Sequence, residues 1–156
     1  MKKMMNRLLP LILASLLLSG CGAKEPAVKK EVNLQSIYDQ IGREVELPEM
    51  AQISENRRYD LLGIAPEDCT QVITAVCGDS VRTDEIWLIE AVDKAAAERV
   101  LSLAKLRLEA KKRELKDYLP DQYAIVQRSE LIQRDNLIAL FVSPDAGKMA
   151  ELFQTA

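Results

Sequence analysis

Thr70–Asp93 reads TQVITAVCGDSVRTDEIWLIEAVD, and its division decides the fold. Residues 70–77 are rich in β-branched side chains, which suit a pleated surface and predict a strand. Gly78-Asp79-Ser80 interrupts that run. Asp84-Glu85 then leads into a second predicted strand, Ile86 to Val92, which holds the chain's single tryptophan, Trp87. Consecutive strands with a short connection predict an antiparallel hairpin. Asp93 is a candidate N-cap for the long element after it. Residues 94–117 contain no Gly or Pro and are dominated by Ala, Leu, Lys, Arg and Glu, all good helix formers. Ala97, Val100, Leu101, Ala104, Leu108 and Leu115 make an apolar stripe that should lie on the sheet.

Downstream, Tyr118-Leu119-Pro120 stops the helix, and Asp121 to Gln127 predicts a short helical turn. Glu130–Gln133 and Leu137–Val142 flank Asp135-Asn136, a two-residue polar turn and a second hairpin signal. Ser143-Pro144-Asp145 predicts the start of a last helix, with Met149, Leu152 and Phe153 facing inward. Upstream, Asn33 caps a stripe of Leu34, Ile37, Tyr38 and Ile41, the spacing of an amphipathic helix ended by Gly42 and Pro48. Residues 45–53 read as an irregular, partly extended connection. Ser54 to Leu62 predicts a second short helix closed by Gly63. The order is helix, helix, strand, strand, long helix, strand, strand, helix. Because neighbouring strands usually pair, the expectation is an α+β fold: a four-stranded antiparallel sheet of two hairpins, with the long helix and the shorter helices on one face.

The first 20 residues belong to a different class of sequence. Lys2, Lys3 and Arg7 precede an 11-residue apolar run, Leu8 to Leu18. A spanning helix needs roughly 20 apolar residues, so this run predicts a signal peptide. Leu18-Ser19-Gly20-Cys21 closes it and resembles the lipobox of bacterial lipoproteins, in which the cysteine thiol receives a diacylglyceryl group before cleavage. The expected organisation is a signal peptide at 1–20, a flexible tether at 21–32 containing Pro26, and one domain at 33–156. The expected location is the extracytoplasmic face of the cell membrane. The covalent lipid on Cys21 is the anchor, and no cofactor is expected. One acyl chain holds a protein marginally and two hold it stably, at about 0.8 kcal/mol per buried methylene.

Cleavage removes three basic residues and no acid, which takes the formal charge from −3 to −6 over the remaining 136 residues. An acidic body lacks the concentrated basic footprint that nucleic acid requires, so no nucleic-acid partner is expected. There is no histidine, which removes the commonest general base and metal ligand. Cys69 and Cys77 bracket a predicted strand. Eight residues at about 3.3 Å each hold them beyond disulfide reach, so both are expected as free thiols.

Gly63-Ile64 with Pro66-Glu67, Asp84-Glu85-Ile86 entering a strand, Leu106-Arg107 in the long helix, Tyr118-Leu119-Pro120 at its end and the closing 137–142 strand with Ser143 resemble an uncharacterised family of bacterial lipoproteins of clostridial-type Firmicutes, carried as a domain of unknown function. The resemblance runs from about Asn33 to the C-terminus. It implies a small lipoprotein domain on a single-membrane cell surface and carries over no activity.

Several constellations are candidates for chemistry. Asp79, Asp84 and Glu85 read either as a cation site or carboxylate pair or, more simply, as solvated turn acids; their spacing does not match a calcium loop. Lys105 to Lys116 holds six basic residues and two acids, either a face for anionic lipid or wall polymer, or a solvated helix face. Arg107 lies outside the apolar stripe, one turn from Lys111, and is suited to a carboxylate from the sheet or from a ligand. Trp87 and Tyr118 read as core or as pocket walls. These three, Trp87, Arg107 and Tyr118, are the candidate binding residues. No nucleophile elbow, P-loop, dinucleotide fingerprint or zinc spacing occurs, so no catalytic residue and no metal ligand is assigned. The expected function is a non-enzymatic binding or accessory module for an envelope protein or a peptide, received as a strand on an exposed sheet edge. The alternative is a surface small-ligand-binding or sensor domain.

Overall fold

A computed structural model describes residues 32–156. Helix α1 (Leu34–Glu44) is followed by strand β1 (Met50–Gln52), helix α2 (Glu55–Leu62) and a 3-10 turn at Pro66–Asp68. The hairpin of β2 (Cys69–Cys77) and β3 (Glu85–Ala91) comes next, then the long helix α3 (Lys94–Leu115) and the short α4 (Pro120–Gln127). The second hairpin, β4 (Glu130–Arg134) and β5 (Leu137–Val142), leads into α5 (Ala146–Thr155). The segments expected as signal peptide and tether, up to residue 31, and the Leu18–Cys21 pattern lie outside the described residues.

The sheet is antiparallel throughout, in the order β1-β2-β3-β5-β4. Its centre is β3, with Trp87 opposite Thr74 on one side and Leu140 on the other. Alternate residues of the central strands serve opposite faces, as the period of two requires. Trp87, Ile89, Ile138 and Leu140 pack beneath Ala97, Val100, Ala104 and Leu108 of α3 and Val126 of α4. Ile86, Leu88, Ala139 and Phe141 pack against Leu34, Ile37 and Ile41 of α1 and Met149 and Phe153 of α5. Small residues on α3 (Ala96, Ala97 and Ala104, all fully buried) let the helix axis come close to the sheet.

Two expectations are corrected. The sheet has five strands among the described residues, not four. The additional strand lies in the 45–53 connection, where three residues are too few for a periodic signal. The neighbouring strand recruits it: the Ile53 N–H donates to the Thr74 carbonyl at 2.8 Å and the Gly78 N–H to that of Glu49 at 3.0 Å. Helices also cover both faces rather than one. α3 and α4 lie on one side, α1 and α5 on the other, so β3 and β5 are buried from above and below.

Local signals hold with small shifts. The Asn33 side chain accepts from the Ser36 N–H at 2.9 Å, but α1 runs two residues past Gly42 to Glu44. Asp93 caps α3 by accepting from the Ala96 N–H at 2.7 Å. Gly63 closes α2 at φ 73°, with its N–H on the Tyr59 carbonyl at 2.8 Å; the left-handed region suits glycine. Asp135 takes φ 53° in the β4–β5 turn, and the Asn136 side chain donates to the Ala91 carbonyl at 2.7 Å, locking that turn onto the end of β3. Cys69 and Cys77 stand at opposite ends of β2 as free thiols.

Candidate functional site

Glu85 opens β3 on the face that meets α3, and it is fully buried. Its neighbour on the same face, two residues on, is Trp87, whose indole N–H donates to Glu85 Oε1 at 2.7 Å. From α3, Arg107 Nε donates to both carboxylate oxygens at 3.1 Å and Nη2 to Oε2 at 3.0 Å. One turn further, Lys111 Nζ lies 2.9 Å from Oε2. Lys111 also donates to the Thr83 carbonyl at 3.2 Å and hydroxyl at 3.1 Å. The Thr83 N–H donates to the Gln122 side chain of α4 at 2.9 Å. The cluster thus joins the hairpin, the long helix and the short helix through polar contacts.

A buried carboxylate without partners would be driven to its neutral form. Burial does push Glu85 upward, but the charges and hydrogen bonds of Lys111 and Arg107 outweigh it and hold the carboxyl below its ordinary range. Glu85 is therefore an anion bound by two cations. A carboxylate offers about four lone-pair sites, and the indole, the guanidinium and the ammonium occupy them. Nothing remains to take a proton from a substrate or to attack one. The chemistry of this arrangement is positional: it fixes α3 over the sheet.

Trp87 and Arg107 meet here around Glu85. Of the two partners the sequence left open for Arg107, a carboxylate from the sheet or one from a ligand, the structure supplies the first in Glu85. Trp87 is entirely core, and Tyr118 is neither core nor part of the cluster: it stands 85% exposed after α3. The reading of the three acids as solvated turn residues fails for two of them. Asp84 and Glu85 are 2% and 0% exposed, with Asp84 tied to Arg82 Nε at 3.0 Å. Asp79 is exposed and accepts from the Val81 N–H at 3.0 Å, as a turn acid does. Sequence reasoning missed Glu85 as a cluster centre, although an acid heading the run Ile-Trp-Leu-Ile is the signal that could have found it. The 105–116 basic stretch is also divided. Arg107 and Lys111 turn inward, and Lys112 pairs with Glu109 at 2.9 Å. Lys105, Arg113 and Lys116 remain on the exposed side.

A second polar feature lies at the other end of α3. Arg99 donates to both oxygens of Asp68, at 3.1 and 2.5 Å, and that hydrogen bonding holds the Asp68 carboxyl below its usual range. The pair borders an open cleft of about 600 Å³, with Gly63, Ser102 and Leu103 among its walls.

The sheet also has outer edges. On β1, Ala51 pairs with Val76, and the contacts at Glu49 and Ile53 set the hydrogen-bonding parity. In an antiparallel ladder alternate residues turn both main-chain groups toward or away from the partner. Met50 and Gln52 therefore send theirs outward. α2 comes directly after β1, and it leaves Tyr59 and Leu61 60% and 49% exposed. Among the described residues no cluster of His, Cys, Asp and Glu could hold a metal, and no helix is long and apolar enough to cross a membrane.

A family model described as "Domain of unknown function (DUF4358)" matches residues 43–143, and the chain belongs to that family. The match takes in all five strands with α2, α3 and α4, and so includes the whole Glu85 cluster. No curated protein and no solved structure matches the chain.

Proposed function

We propose that this chain is a lipid-anchored, extracytoplasmic, non-enzymatic module that receives an envelope protein or an extended peptide as an added strand on β1. The anchor is a diacylglyceryl group on Cys21. The Leu18-Ser19-Gly20-Cys21 pattern after a short apolar run supports this. The observation that carries the binding reading is the closure of both sheet faces by helices. Recognition through the sheet is thereby confined to its edges. β1 offers outward main-chain groups at Met50 and Gln52, and the next element in the chain, α2, exposes Tyr59 and Leu61. Main-chain bonds supply affinity in strand addition, and exposed apolar side chains supply selectivity.

The test is chemical crosslinking of intact membranes with mass spectrometry, on wild type, Cys21→Ala and Gln52→Pro. Proline at 52 deletes an outward N–H and leaves the inward bonds of Ala51 and Ile53 in place. The expected result is a partner crosslinked near residues 50–61 in wild type and lost with Gln52→Pro, while Cys21→Ala leaves the membrane fraction. Undiminished capture by Gln52→Pro would remove β1 from the reading, and retention of Cys21→Ala on membranes would remove the anchor.

The Asp68–Arg99 cleft supports a second reading, a surface small-ligand-binding or sensor domain. A ligand screen by thermal shift, with hits abolished by Arg99→Ala, would favour it over the first.

A further inference from the structure

β4 is the opposite edge of the sheet from β1. Its five residues, Glu130-Leu131-Ile132-Gln133-Arg134, carry opposite charges at their two ends and an isoleucine at the midpoint. The turn that joins β4 to β5 has two residues, and Arg134 faces Leu137 across it. In such a hairpin the pair flanking the turn is hydrogen-bonded. Counting back, Arg134, Ile132 and Glu130 turn their main chain inward to β5, and Leu131 and Gln133 turn theirs outward. Among the described residues β4 pairs with β5 alone.

We infer that β4 is a self-association edge, and that two copies join antiparallel about a twofold axis at Ile132 into one continuous ten-stranded sheet. The register comes from parity and charge together. Centring the axis on Ile132 places Leu131 opposite the partner's Gln133. Both are outward-facing, so each of the two equivalent pairs exchanges two main-chain hydrogen bonds. The same register sets Glu130 opposite the partner's Arg134, twice by symmetry, and Ile132 opposite the partner's Ile132. These fall at non-hydrogen-bonded positions, where facing side chains come closest and opposite charges attract. Moving the axis by half a residue would set an outward residue against an inward one and lose the bonds.

The Arg134 side chain is fixed against α5 of its own chain, which limits the ordering cost of a further ion pair. Its Nη1 donates to the Gln154 carbonyl at 2.9 Å and its guanidinium carbon lies 5.5 Å from the Phe153 ring centroid. A twofold contact that uses the same patch on both copies closes on itself, so it stops at a dimer and consumes the edge. An open edge is otherwise a template for uncontrolled pairing. With β4 used in this way, both β1 edges remain free at the two ends of the sheet. The inference therefore concerns a different edge from the strand-addition reading and stands or falls separately from it.

The test uses the full chain in native membranes. Ile132→Cys places two thiols across a non-hydrogen-bonded pair with Cα atoms about 4.5 Å apart, within disulfide range. Mild copper-catalysed oxidation should convert it to a product of twice the chain mass on a non-reducing gel. Wild type, which retains Cys69 and Cys77 on a distant strand, should not give this product, and neither should Leu131→Cys, whose thiol would face Gln133. Adding Gln133→Pro removes two intermolecular hydrogen bonds per dimer and should weaken association about 30-fold, at roughly 1 kcal/mol per bond. Glu130→Arg should lower the yield, and adding Arg134→Glu should restore it. Trp87 fluorescence reports that each variant is folded. The inference is overturned if folded Ile132→Cys gives no dimer or an adduct of another mass. It is also overturned if Gln133→Pro leaves the yield unchanged or the double charge swap fails to restore it.

Discussion

The Glu85 cluster makes a prediction whose size is set by its geometry. Glu85→Gln keeps an oxygen for the Trp87 N–H but removes the charge that holds Arg107 and Lys111. Their side chains are 33% and 12% exposed, so neither regains full hydration in place. Breaking a buried pair by removing one partner costs about 3–5 kcal/mol. Arg107 recovers part of its hydration, which places the expected loss near 3 kcal/mol, at the low end of that range. A domain with about 5–15 kcal/mol of stability survives this loss, so the variant should fold and be measurable.

Urea unfolding monitored by Trp87 fluorescence is the assay. At an m-value of about 1–3 kcal/mol/M, the midpoint should fall by roughly 1–3 M at neutral pH. Lys111→Met should cost less, because Glu85 keeps the Arg107 fork and the indole. Acid supplies an independent arm. The folded pKa of Glu85 lies below its ordinary value of 4.5, so the unfolded chain takes up the proton first as pH falls. The stabilisation is complete above about pH 4.5 and is lost as pH drops through the folded value. The gap between wild type and Glu85→Gln should therefore close in acid. A midpoint shift near zero at neutral pH, or a gap that stays constant into acid, would refute the account of Glu85 as a bound anion.

Gly63→Ala should lose about 1–2 kcal/mol, because the residue sits at φ 73° and an added Cβ would lie 3.1 Å from Leu103 Cδ2. A fall of several degrees in the thermal midpoint checks this, and an unchanged midpoint would contradict it. Asp93→Ala should cost about 1 kcal/mol by removing the cap on the Ala96 N–H, read as a lower urea midpoint. The Cys69 thiol is pushed up to about 11, first by burial and then by the Asp68 charge. At pH 8 the thiolate is then roughly one part in a thousand, so alkylation of Cys69 in the folded chain should be far slower than that of a free cysteine and should accelerate in denaturant. Equal rates in the folded and denatured chain would show that the thiol is not shielded.

The helices and the two hairpins were legible because each is written locally. Asn33, Gly63, Asp93 and Asp135-Asn136 mark their boundaries with side chains that bond to, or permit, the local backbone. β1 was not legible, since its three residues carry no period of their own and become a strand only by pairing with β2. Glu85 was half legible. Arg107 could be read as needing a sheet carboxylate, but three nearby acids competed for it. Choosing among them requires knowing which way β3 faces α3, and the register to β2 and β5 decides that.

The number of helical layers was written in the sequence in a form that strand-by-strand reading passes over. A half-buried strand alternates apolar and polar residues, whereas a strand covered on both faces has no side left for polar groups. Ile86-Trp87-Leu88-Ile89 and Leu137-Ile138-Ala139-Leu140-Phe141-Val142 do not alternate, and every one of these residues is buried. β4 has no fully buried residue, and it exposes Glu130 on one face and Gln133 on the other, as befits an edge. The two continuous apolar runs thus identify the central strands, demand helices on both faces and leave the more polar strands, β1 and β4, for the rim. On such a sheet α3 has no polar face beneath it to set its rotation, and Ala96, Ala97 and Ala104 offer little shape to grip. Glu85, charged and at the head of a strand otherwise free of charge on that face, supplies the missing direction by binding Arg107 and Lys111 one turn apart on the helix.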